Sequence, residues 1–163
     1  MLIYKGVKKV NMKKFIPIFL LCLSPVILKA QSTAEEIEAL LETEAVTYAQ
    51  AARFIMEAAD IITSSGAALS GGWFEYAMEQ KWLPRNTSAN QRARLDRIAL
   101  LVMRSFDIKG GYFYSIFKSP HYAYHELLYK RVIQGRADPA MAVSGSNLLF
   151  ITSRALNLKE QER

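Results

Sequence analysis

AARFIMEAADI (Ala51–Ile61), IALLVMRSFDI (Ile98–Ile108) and LLFITSRALNL (Leu148–Leu158) carry one helix signature three times in a chain of 163 residues. Their endings align as Asp60-Ile61, Asp107-Ile108 and Asn157-Leu158, which sets the steps at 47 and 50 residues. Self-similarity with a period of roughly 20 to 50 residues marks units that cannot bury an apolar face alone and must pack on their copies. A packed scaffold with a binding surface is the expected product.

Working outward from the repeats, each is preceded by a second helical stretch. The first helix is expected from a Ser32-Thr33 cap, with Glu35 and Glu36 at the positive end of its dipole and Ile37, Leu40 and Leu41 on one apolar face. Thr47 opens the next, with Gln50 placed to complete a capping box; it should run to about Ile62 and break at Thr63-Ser64-Ser65-Gly66. In the middle repeat Gly71-Gly72 precede a helix from Trp73 to about Trp82, and Pro84 forbids its continuation. A polar loop, residues 85–90, leads into a helix over 91–107 that Gly110-Gly111 stop. In the third, Ser119-Pro120 starts a helix over 121–133 ended by Gly135, Asp138-Pro139 marks a turn, and the last helix begins near Ser144 and ends around Leu158. Six helices in three pairs follow, with no sustained period-two pattern, so the fold class is all-α.

The formal charge of +6 points towards nucleic acid only until its distribution is read. Of 21 basic residues, six (Lys5, Lys8, Lys9, Lys13, Lys14, Lys29) lie in the first thirty positions, leaving 15 against 15 acidic residues in 31–163. Displacing counterions from a phosphate backbone takes clustered, uncompensated Lys and Arg, so nucleic acid is not an expected partner. The basic leader has the grammar of a secretory signal: Met12-Lys13-Lys14, an apolar run from Phe15 to Leu28, then Ala30 before Gln31-Ser32. Residues 1–30 are read as a signal peptide cleaved after Ala30, with 1–11 outside the signal proper if translation starts at Met12. The run is shorter than the roughly 20 apolar residues of a spanning helix. Membrane contact is therefore expected only through the leader before cleavage. Cys22, the only cysteine, sits in that run behind Phe19-Leu20-Leu21, without the small residue that lipidation requires just before it. Residues 31–163 then form one exported domain of a size that suits a single core.

The order of these elements resembles the S-layer homology (SLH) domain. Its repeats of about fifty residues read as an aromatic-Ala-Tyr helix start, a hydrophobic pair before a glycine, a loop, and a capped helix with an apolar end. Pro120-His121-Tyr122-Ala123-Tyr124, Val132-Ile133-Gln134-Gly135 and the stretch 142–156 look like one such repeat; the middle one matches through Trp73, Ala77, Trp82-Leu83 and residues 95–106. The resemblance implies three repeats around a pseudo-threefold axis, with grooves between them that bind cell-wall polysaccharide. The family's motif, Thr-Arg-Ala-Glu at the second helix start, falls on Thr47-Tyr48-Ala49-Gln50, Arg94-Leu95-Asp96-Arg97 and Ser144-Gly145-Ser146-Asn147, none with arginine in place. A one-residue shift would put Arg94 and Asp96 on the motif in the middle repeat alone.

Three groups of side chains are candidates for chemistry. His121 and His125, four apart with Glu126 adjoining, have a metal-chelating spacing, yet Tyr129 stands where the zinc-protease motif needs its second histidine. The aromatic cluster Tyr112, Phe113, Tyr114, Phe117, Tyr122, Tyr124 and Tyr129 suits either stacking on sugar rings or core filling, and exposure separates the two. Arg92, Arg94, Arg97 and Arg104, sharing their helix with Asp96 and Asp107, read either as a run that meets a wall polymer, a phospholipid headgroup or an acidic partner or as a solvated helix face; Trp73 and Trp82 join Arg92, Arg94 and Arg97 as candidate contact residues. No catalytic residue, metal or cofactor is nominated. The expected function is a non-catalytic scaffold or binding module of the periplasm or cell envelope, docking to a partner protein or wall glycan. The alternative is a small periplasmic metal-dependent enzyme with a site near His121, His125 and Glu126.

Overall fold

Seven helices and no named strand occur among the residues that the computed structural model describes, 34–61, 68–135 and 138–162. In order they are α1 (residues 34–41), α2 (Tyr48–Ala58), α3 (Ala68–Glu79), α4 (Leu95–Ser105), α5 (Tyr112–Phe117), α6 (Pro120–Tyr129) and α7 (Gly145–Gln161). The all-α expectation holds. The proposed leader, the Ser32-Thr33 cap, Cys22 and the Thr63–Gly66 break lie outside the described residues. The chain divides into two compact units, and the second, Leu40–Arg163, holds the buried core.

The three repeat helices start in the same way. At each, a side-chain oxygen accepts from the third helical amide, one of the donors that a helix start leaves without a partner. Thr47 Oγ1 takes the Gln50 amide at 3.3 Å, and the Gln50 side chain takes the Thr47 amide at 2.9 Å, so the expected capping box is formed. Ser144 Oγ takes the Asn147 amide at 3.3 Å. Arg94, the N-cap of α4, has no acceptor to offer, and Asp96 Oδ1 takes the Arg97 amide instead, at 2.8 Å. That helix begins at Leu95 and not at Gln91, because Arg94 is extended (φ −87°, ψ 145°) and the backbone before it is occupied in bridges.

Those bridges join the three helix starts to one another. Val46 donates its amide to the Val143 carbonyl (2.9 Å), Val143 to that of Ala93 (2.9 Å), and Ala93 to that of Val46 (2.8 Å), closing a ring. Outside the ring Tyr48 donates to Gln91 (3.1 Å), Leu95 to Met141 (3.0 Å) and Gly145 to Thr43 (2.9 Å). The ring donors 46, 93 and 143 follow the 47- and 50-residue steps of the sequence repeat. Gly145 is required by this crossing: a Cβ there would overlap the Leu40 carbonyl.

Helix ends are just as regular. At Asp60, Lys81, Asp107 and Arg131 the chain turns left-handed (φ 55°, 58°, 51° and 59°). The next residue, Ile61, Trp82, Ile108 or Val132, donates back five positions to Met56, Ala77, Met103 or Leu127 at 2.9 to 3.1 Å. This is a Schellman closure with an apolar residue folded onto the last turn. It explains why Asp-Ile recurs at the ends of the first two repeat stretches. The third copy differs: Asn157-Leu158 stays helical and α7 continues to Gln161. It also stops α6 at Tyr129, before the expected Ile133, with Gly135 left to a later turn. The Asp138-Pro139 turn forms as read, Asp138 Oδ1 accepting from Ala140 at 2.8 Å.

Burial places α4 at the centre. Of its 11 residues, eight are buried, including Ile98, Leu101, Val102 and Met103. It packs on α2, α6 and α7, while α3 lies on α2 and α5 on α6. The closest partners are thus the second helix of one repeat and the first of the next. In α3, Gly72 (φ 83°, ψ 169°) kinks the helix, so the segment after the kink starts at Trp73 as the Gly71-Gly72 pair predicts.

Candidate functional site

Helix α5, within the expected aromatic cluster, carries the largest cluster of exposed apolar side chains among the described residues. Only Tyr114 turns inward and is buried; Tyr112, Phe113, Ile116 and Phe117 stand outside, Tyr112 with 75% of its surface free. The helix is fixed at both ends. A Cβ at Gly110 would run into the Tyr114 ring, and Lys118, left-handed at φ 44°, turns the chain into the Ser119-Pro120 start of α6.

From α6, half-buried Tyr122 completes the surface. Its ring stacks near-parallel with Phe113 (centroids 5.8 Å apart, 11°) and with Phe117 (5.3 Å, 21°), and Tyr112 meets Phe113 edge-on at 5.7 Å. The rings hold one another in register, in offset and edge geometries that aromatic pairs favour by ~1 kcal/mol. The result is a pre-organised aromatic platform.

Next to it, His121 and His125 are exposed, with ring centroids 4.5 Å apart. No group of three or more His, Cys, Asp or Glu side chains able to hold a metal ion occurs among the described residues.

The remaining sequence candidates lie elsewhere. Arg94 forms a two-pronged pair with Asp96 (3.2 and 2.9 Å). Arg97 is engaged within the fold: it donates to Thr87 Oγ1 at 2.9 Å and Asn86 Oδ1 at 3.2 Å, with its guanidinium 5.9 Å from the Tyr48 ring centre. Arg92 is exposed beside the bridge to Thr47. Trp73 and Trp82 are half-buried against the core, Trp82 edge-on to Tyr76 at 5.7 Å. Of the eight candidate residues, the structure gathers Tyr112 and Tyr122 at the platform, brings Arg94 and Arg97 to the start of α4, leaves Arg92 exposed just before it, and uses Trp73, Trp82 and Tyr114 in packing. Phe113 and Phe117 belong to the expected aromatic cluster, whereas Ile116 does not; the signal for it, and for a helix here, is the run YFYSIF, too apolar for a loop between two glycines and a proline.

Between the second and third repeats a groove of about 300 Å³ is lined by Leu95, Gln134, Met141, Asn147, Phe150 and Arg154, among others. Arg154 donates to the Val132 carbonyl at 3.3 Å and lies 5.7 Å from the Phe150 ring centre. At the positions that match Leu95 and Asn147, between the first and second repeats, stand Tyr48 and Arg97, the pair already in contact. No protein-family model matches this chain, and neither a curated protein nor a solved structure does.

Proposed function

We propose that this chain is an exported, non-catalytic binding module of the cell envelope, built as an SLH-like bundle of three repeats about a pseudo-threefold axis, and that it docks to an envelope partner protein through the α5–α6 platform. The observation that carries the docking reading is the platform itself. Four large apolar side chains exposed on one six-residue helix are far more than the single scattered hydrophobics of an ordinary surface, and contiguous apolar patches mark interaction sites. A protein partner suits it better than a sugar, because Phe113 and Phe117 already stack on Tyr122 and three of the four exposed side chains, Phe113, Ile116 and Phe117, are wholly hydrocarbon.

The architectural reading rests on the hydrogen-bond ring through Val46, Ala93 and Val143 and on the three matching helix starts. Export rests on the leader sequence alone. A wall polysaccharide is the second reading, favoured by the open groove at Phe150 and Arg154, where an aromatic face and polar groups converge as sugar binding requires.

Co-sedimentation of the purified protein with isolated envelope material separates them. Phe113→Ser with Phe117→Ser should lower the bound fraction about tenfold with an unchanged melting temperature, and stripping envelope proteins by protease should do the same. Loss on Arg154→Gln or on glycan digestion, with the double variant unaffected, transfers the function to the groove. Stoichiometric zinc in the purified protein, lost on His125→Ala, would instead establish the metal-enzyme alternative.

A further inference from the structure

At the far end of α4 a second cavity, of about 380 Å³, opens between the helix end and α5. Three cationic side chains line it, Arg104, Lys109 and Lys118, against the one carboxylate of Asp107. Lys109 and Lys118 are exposed, whereas Arg104 is partly buried on the packed helix. Its Nε is buried and has no hydrogen-bond partner. No salt bridge joins Arg104 to Asp107 or Glu126 among the described residues. A buried guanidinium donor left unpaired costs folding free energy, because desolvation is not repaid by a bond.

We propose that this cavity binds an oxyanion, a phosphate or carboxylate group, with Arg104 as the fixed donor and Lys109 and Lys118 as mobile cations that close over it. A forked guanidinium matches the geometry of such a group, and ammonium groups add charge without fixed direction. Tyr114 lines the same cavity; burial, the main influence, raises its pKa, with Asp107 and Glu126 adding to the rise and Arg104 opposing it. Its phenol therefore stays protonated at neutral pH, which suits it to face an anion. The site is separate from the docking platform, since Tyr114 is the inward-facing member of α5 and Phe113 and Phe117 are outward-facing.

The test follows the side-chain Nε–H resonance of Arg104 by NMR in the full-length protein, during titration with inorganic phosphate and, separately, with sodium chloride at matched ionic strength. Phosphate should shift the resonance saturably and chloride should not. Lys109→Gln with Lys118→Gln, both exposed and so neutral for folding, should raise the phosphate midpoint about tenfold, while Phe113→Ser with Phe117→Ser should leave it unchanged. Phosphatidylglycerol vesicles form a third arm. If they compete with phosphate at Arg104, the oxyanion is a lipid headgroup; if they do not, it is borne by a soluble molecule. An equal response to chloride, or an unchanged midpoint in the lysine double variant, would overturn the site.

Discussion

Gly145 shows how one missing side chain sets the geometry of this fold. Alanine there would gain about 1 kcal/mol of helix propensity in solution, yet its Cβ would occupy the position of the Leu40 carbonyl. Overlap with backbone cannot be relieved by a rotamer change, so Gly145→Ala should destabilise by about 3 kcal/mol, read as a lowered urea midpoint. Ser105 is the opposite case. Its hydroxyl is buried without a partner, and Ser105→Ala should hold or raise stability by about 1 kcal/mol, with a melting temperature a few degrees higher. At Arg131, exposed and left-handed at φ 59°, glycine should stabilise by roughly 1 kcal/mol through relief of Cβ strain. A lower melting temperature in that variant would mean that the arginine side chain contributes more than its backbone costs. The Thr47 cap and the Asp138 turn were legible because their chemistry is local. The close approach at Gly145 was not, because it depends on a carbonyl more than a hundred residues away in sequence.

Among the elements, α4 is the one on which the others depend. It touches α2, α6 and α7 and buries residues around most of its circumference. Proline at Leu101 removes a mid-helix hydrogen bond and clashes with the preceding turn, a cost of about 3 kcal/mol or more before the lost leucine packing is counted. Leu101→Pro should therefore abolish the cooperative thermal transition. Helix existence was readable from apolar spacing and from glycine and proline. Helix ends were less so, because Lys81 and Arg131 close their helices in a conformation usually given to glycine, and no local preference announces it. Helix α5 escaped for another reason: an outward face of Tyr112, Phe113, Ile116 and Phe117 breaks the rule of apolar residues facing in. That is the expected place for sequence reasoning to fail, since a surface kept for a partner departs from the pattern that folding alone would favour.

Across the whole molecule, the 47- and 50-residue steps recur in the backbone bonds that join the three helix starts. The sequence showed the period; which repeats touch was hidden, because the dense contacts run from one repeat's second helix to the next repeat's first. In the proposed arrangement the ring at Val46, Ala93 and Val143 forms only when all three repeats are in place. Native-state hydrogen exchange of those three amides tests this most directly, because each donates solely across a repeat boundary. The account predicts that all three exchange only through global unfolding, at the same free energy as the central amides of α4. Free exchange at any one of them, with α4 still protected, would contradict it.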